Sequence, residues 1–204
     1  ALSLLVQFIE NERLASWEHC IKKVWEKLLI FSYIDLAYEQ NQGRATSFFK
    51  TILAFTKWLE NNYTQLDPFA NWVKEIEERH EKEVLEAVRV LELYRGQVDQ
   101  PFLTGYEDVR RETLIQEVGT NNVIEGVFEI TELTGDFVTL KSLLTKKNFL
   151  VQLSKLAVVD VHSHTTFIGA IMERKPNQWE ILALDRVFPP SAQPYLYKAI
   201  GING

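Results

Sequence analysis

The sequence predicts an α+β protein, an N-terminal helical bundle followed by a small antiparallel β-barrel or coiled sheet with a short C-terminal helix. Two observations carry this. Apolar residues recur at helical spacing through most of the first hundred residues, and beyond Asn121-Asn122 that period gives way to short β-rich runs separated by turn residues. Composition agrees: 46% apolar and 25% charged residues in a chain of 204 is enough to build a core.

Over residues 16–40, Trp17, Ile21, Val24, Trp25, Leu28, Leu29, Tyr33 and Leu36 make one broad apolar stripe, which predicts a single long helix ending at Gln42-Gly43. Thr46 or Ser47 is the expected cap of the next helix, where Phe48, Phe49, Ile52, Leu53, Phe55, Trp58 and Leu59 repeat the pattern up to Asn61-Asn62. Asp67-Pro68 places a cap residue before a proline whose missing N–H costs nothing in the first turn, so it opens a third helix running toward Gly96. Its middle is a charge run, residues 74–86, solvated on most of its circumference. The pairs Glu75/Arg79 and Glu78/Lys82 stand at the helical spacing that supports it.

The linker is placed within residues 97–120, dividing the chain into a helical domain, 1–104, and a β domain, 105–204. Strands are expected over 123–133, 137–143, 149–153, 156–161, 166–173 and 179–187, with turns at Thr134-Gly135-Asp136, Lys146-Lys147-Asn148 and Lys175-Pro176-Asn177. Phe149, Val151 and Leu153 alternate with more polar neighbours, as do Trp179, Ile181 and Ala183, so each run has one face for a core. Pro189-Pro190 stops the last strand, and residues 191–200 form the closing helix.

A net charge of -6 and a pI near 5.3 give no basic footprint for duplex nucleic acid or an anionic membrane. The longest apolar stretch, 28–34, is interrupted by Ser32 and Tyr33 and falls far short of the ~20 residues a spanning helix needs. No basic residue precedes Leu2, so 2–9 does not read as a signal peptide. The single cysteine, Cys20, cannot form an internal disulfide or a thiolate zinc site, and a reducing cytoplasm is the expected location.

The sharpest local pattern is Val158-Val159-Asp160-Val161-His162-Ser163-His164. An apolar strand ending in Asp-x-His-x-His resembles the first metal motif of amidohydrolase-type metal-dependent hydrolases, in which two histidines spaced by two hold a water-activating divalent ion. The resemblance implies further ligands from later strands of a large (β/α) barrel, and only forty residues follow His164, none of them histidine. A third or fourth ligand would have to be acidic, with Glu129 or Asp185 the candidates. A strand end and polar turn is the simpler reading, and no catalytic, cofactor-binding or metal-binding residue is assigned.

Glu77-x-x-His80 matches half of the paired helical motif of di-iron bundles, but no second copy exists, and a solvated or core-edge His80 is the expected outcome. His19-Cys20 has no clear basic neighbourhood or orienting residue to activate the thiol, so Cys20 is read as a small core or boundary residue. Phosphate loops, nucleophile elbows and cysteine pairs are absent from the sequence.

Phe128-Glu129-Ile130, Gly135-Asp136-Phe137-Val138-Thr139-Leu140, Leu143-Leu144-Thr145-Lys146-Lys147-Asn148-Phe149, Gly169-Ala170-Ile171-Met172 and Trp179-Glu180-Ile181-Leu182 follow one another in a strand-and-turn rhythm. In this the stretch 126–190 resembles a small β domain of uncharacterised bacterial proteins in which a helical region comes first and some members carry a C-terminal zinc-binding SEC-C motif. The resemblance implies the architecture and no activity. With no cysteine after Cys20, this chain lacks the zinc motif.

The leading expectation is a non-enzymatic cytoplasmic interaction or accessory protein with a protein partner, a homo-oligomer included. It rests on twelve aromatic residues between Trp17 and Trp72, more than three or four helices can bury. The first rival is a metal-dependent hydrolase using Asp160, His162 and His164. The second is a small OB-like or SH3-like barrel binding single-stranded RNA through Phe137, Phe149 and Trp179 with Lys141, Lys146 and Lys147, against which stands the inward position these rings should occupy.

Overall fold

The computed structural model describes residues 1–37, 40–63, 66–97, 116, 122–135, 137–152 and 161–202. The expected fold class is observed: helices first, then five strands, then a short helix. The chain divides into two compact units, Ala1–Val88 with Ser191–Gly204, and Arg89–Pro190.

The helical unit opens with α1 (Leu2–Glu12), which buries Leu5 and Phe8 and ends on Arg13 in the left-handed region at φ 54°. The single long helix expected next is interrupted. A 3-10 turn at Trp17–His19 is followed by α2 (Lys22–Lys27), a π-helical turn at Leu28–Ser32 and α3 (Tyr33–Leu36). The reason is burial. All five residues of the π turn are buried, so widening the helix there turns a run of neighbours inward that a regular α-helix would spread around its circumference.

Helix α4 (Gln42–Asn62) starts earlier than Thr46 or Ser47 and runs through Gly43. Its cap is Asn41, whose side-chain oxygen accepts from the Arg44 N–H at 2.9 Å. Helix α5 (Phe69–Gln97) begins where Asp67-Pro68 predicts, and the Glu60 carboxylate on α4 accepts from the Ala70 N–H in its first turn at 2.7 Å. The helix α6 (Gln193–Ala199) follows a 3-10 turn at Pro190–Ala192. Its Tyr195 hydroxyl donates to Glu26 on α2 at 2.9 Å.

In the second unit β1 (Val123–Thr134), β2 (Phe137–Ser142), β3 (Asn148–Gln152), β4 (Thr166–Lys175) and β5 (Gln178–Phe188) form a coiled sheet whose pairing order, β1-β2-β3-β5-β4 and back to β1, closes on itself. The strand expected over 156–161 lies almost wholly outside the described residues. All pairings are antiparallel except β3 with β5, which departs from the purely antiparallel expectation. Topology forces this, since an odd number of strands cannot alternate direction all the way round a closed ring. The parallel seam is short, Val151 against Trp179 and Gln152 against Glu180.

Phe128, Phe149 and Phe167 meet inside the sheet, with Phe128 5.3 Å from Phe167 and 6.3 Å from Phe149. The last turns of α5 belong to this unit, where the Tyr94 hydroxyl donates to the Leu182 carbonyl at 2.6 Å. Val90 joins Ile130, Val138, Leu140 and Phe167 around an apolar void of about 10 Å³. That is at the lower limit for one water and has an apolar lining, so it is core and not a ligand pocket.

Strands β4 and β5 approach closely at Gly169, where a Cβ would lie 2.1 Å from the Ala183 carbonyl oxygen. Gly169→Ala is expected to destabilise the β unit by about 3 kcal/mol, because backbone has to move; urea unfolding of the variant beside Gly126→Ala, whose added Cβ meets only the Phe128 ring at 3.7 Å, checks this.

Burial pushes the Cys20 thiol up to about 11 and the Tyr33 phenol up to about 12, the nearby Arg44 offsetting part of the latter. Both groups have a folded pKa above the unfolded value, so their contribution to stability is present below about pH 9 and is lost as the pH rises through 11 to 12. Unfolding free energy should therefore decline from pH 9 upward, and Cys20 should resist thiol reagents at pH 8 until denaturant is added.

Candidate functional site

Two places bring together residues singled out from the sequence. The first is on the helical unit, where aromatic rings run from the core to the surface. Trp25 on α2 is 1% exposed and stacks on Trp17 at 6.3 Å with the planes 7° apart. Trp17 meets Phe55 of α4 edge-on at 5.3 Å, Phe55 stacks on Trp58 at 5.9 Å, and Trp58 meets Tyr63 at 6.3 Å and 74°. A second branch runs from Trp25 to Phe69 at 5.4 Å and on to Trp72 at 5.7 Å.

Phe31, Tyr33, Phe48, Phe49 and Phe69 are buried, and Trp17, Phe55 and Trp72 are half-buried. Trp58 remains 52% and Tyr63 48% exposed. They sit at the end of α4 because the helix turns Phe48, Phe49, Ile52 and Leu59 inward, which leaves position 58 on the outer side. Tyr38 lies outside the described residues.

The second place is in the β unit. The register of β1 against β2 shifts between Ile130 and Glu132, a bulge at Thr131. A turn over residues 162–165 docks on it. The Thr165 N–H donates to the His162 carbonyl at 3.1 Å, the His164 N–H to the Ile130 carbonyl at 2.7 Å, and the Ile130 N–H to the Thr165 carbonyl at 2.9 Å. The Ser163 hydroxyl donates to the Thr131 carbonyl at 3.3 Å. His164 occupies the third position of that turn at φ 71°, where glycine or asparagine is the ordinary residue. Its Nδ1 lies 2.8 Å from Glu129 Oε1, the carboxylate side chain 9% and the imidazole 62% exposed.

Of the hydrolase candidates, then, the structure brings Glu129 onto His164. Asp160 lies outside the described residues, His162 is exposed in the same turn, and Asp185 is on β5. Among the described residues no group of three His, Cys, Asp or Glu side chains is arranged to hold a metal ion.

His80 does not pair with Glu77. Its Nε2 faces Glu26 at 3.7 Å and its Nδ1 faces Glu83 at 3.9 Å, while burial first and the Glu81 carboxylate second raise the Glu77 pKa. Glu26 in turn accepts from Tyr195, whose phenol is pushed far up by burial and by that carboxylate. Sequence reasoning missed this cluster of Glu26, His80, Glu83 and Tyr195. Only the helical offset of three from His80 to Glu83 was open to it. His19 Nδ1 lies 2.9 Å from Ser16 Oγ, and Cys20 is buried, a structural thiol.

Of the rings expected in an RNA platform, Phe149 is buried and packs edge-on at 5.0 Å against Trp179, which is half-buried. Phe137 is exposed on β2, Lys141 is half-buried, and Lys146 and Lys147 stand in the β2–β3 turn. No helix among the described residues is long and apolar enough to cross a membrane.

No protein-family model matches the chain, and no curated protein matches it either.

His164→Ala should cost the β unit about 1 kcal/mol by removing a charge-assisted hydrogen bond from a buried carboxylate, the exposure of the ring holding the figure down. Ser163→Ala, which loses only a long hydroxyl bond, should cost less; thermal melts of the two variants compare them.

Proposed function

We propose that this protein is a non-enzymatic interaction or accessory protein whose partner, another protein, docks on the aromatic surface of the helical unit. The observation that carries the reading is the half-exposure of Trp58 and Tyr63 on a stack of rings rooted in the core. Large rigid aromatic side chains lose little conformational entropy on binding and are the residues that most often dominate protein interfaces. Trp58 rests on Phe55, which meets Trp17 in turn, and Tyr63 packs edge-on against Trp58, so the surface is preorganised and does not have to be assembled when a partner arrives. The exposed Ile21 lies four residues beyond Trp17 in the chain.

Two features weigh against the RNA platform: the acidic balance of the chain and the burial of Phe149, against which the half-buried Trp179 packs. The hydrolase reading is supported by the Glu129–His164 pair alone.

The test is a pull-down of the tagged chain from extract of its own cells, with and without nuclease. A stoichiometric protein that survives nuclease supports the reading, and recovery of RNA alone or of nothing sinks it. Trp58→Ala with Tyr63→Ala should weaken the recovered partner's affinity about 30-fold or more, the loss of an interface hot spot, while shifting the urea midpoint little, as substitutions at exposed positions do.

A further inference from the structure

Trp58 and Tyr63 do not stand alone at the end of α4. Lys50 and Lys57 are both exposed on that helix and lie two turns apart, which sets them in one line about 10 Å long with the exposed Ala54 between them. Trp58 follows Lys57 and lies about 100° further round, so rings and ammonium groups share the open side of the helix. The charge of this line is not balanced locally. Lys22, Lys27, Lys74 and Lys82 on the same unit are each paired with a glutamate, whereas Lys50 and Lys57 form no such pair among the described residues. The acid on which both act is Glu77 of α5, whose pKa is raised by burial first and by Glu81 second, the two lysines opposing this. Two cations thus meet one carboxylate that burial discourages from ionising, and positive charge is left beside the rings of a chain whose net charge is -6.

Resting on the reading of this surface as a protein-docking site, we infer that the partner contributes an acidic segment, with a large apolar side chain seated on Trp58 and Tyr63 and carboxylates on Lys50 and Lys57. Carboxylates about 10 Å apart reach both lysines, a spacing given by residues three apart in an extended segment or seven apart in a helix. The rings supply most of the affinity, and the charges supply orientation and association rate. Single-stranded RNA also offers flat rings and anions, but it is held by a cationic groove that tracks its backbone. Two lysines in a chain of net charge -6 do not make that groove, so the acidic segment is the occupant the surface fits.

The experiment selects a displayed random-peptide library on the full chain and measures the enriched peptides, beside a labelled oligouridylate, by fluorescence polarisation at low and high salt. The expected peptides carry an aromatic or large aliphatic residue flanked by Asp or Glu. Their affinity should fall about 10-fold in Lys50→Gln with Lys57→Gln, persist in Lys50→Arg with Lys57→Arg, and weaken as salt screens the exposed charges. Glutamine is the replacement because Glu77 faces both positions and would repel a glutamate; an unchanged urea midpoint shows that the variant folds. Enriched peptides without acidic residues overturn the inference and leave the docking reading standing. So do peptides lost in Trp58→Ala with Tyr63→Ala but indifferent to the lysine charges. Failure to enrich any peptide that depends on Trp58 overturns the inference as well, and the docking reading is then decided by the pull-down. Oligouridylate binding that is lost in both the ring and the lysine variants puts RNA on this surface and overturns both.

Discussion

The stack of Trp17 on the buried Trp25 is the contact on which the proposed function depends. Trp25 is a node, joined to Trp17 on one side and Phe69 on the other, so it ties α2 to α5 directly and to α4 through Trp17 and Phe55. Its N–H finds no acceptor among the described residues. Leaving a buried donor unpaired costs about 1–3 kcal/mol, and the helical unit tolerates this because the rings around Trp25 bury a large apolar area. The same chain of rings that fills the core continues outward through Phe55 to Trp58, so core packing determines how rigidly the surface is presented.

The β unit is governed by a different constraint. The five strands close with one parallel pair, and β4 comes close to β5 at Gly169, where a Cβ would strike the Ala183 carbonyl. Bulges absorb the curvature, and the one at Thr131 is where the turn of His162 and His164 docks. Hence the carboxylate–imidazole pair sits where the sheet departs from regular pairing.

Local signals were legible in the sequence, and long-range ones were not. Asp67-Pro68 marked the start of α5 because cap and proline act within one turn, and the runs of β3 and β5 showed through alternation that depends only on next neighbours. The surplus of aromatics foretold exposed rings but did not say which, since the choice of Trp58 depends on how α4 rolls on its neighbours. The π turn at Leu28–Ser32 was hidden because five consecutive apolar residues fit any helical period. Asn41 was passed over for Thr46 although it is as good a cap. Glu129 and His164 are 35 positions apart, and Tyr195 and Glu26 are 169 apart. No spacing rule reaches that far.

The central claim is that the surface at Trp58 meets another protein in the cell, and site-specific photocrosslinking examines it without disrupting the fold. A photoreactive phenylalanine analogue at position 58, irradiated in living cells, should yield one discrete higher-mass protein adduct, while the same group at the solvent-facing Lys82 should yield none. A smear of adducts equal at both positions, or no adduct at 58, would contradict the account.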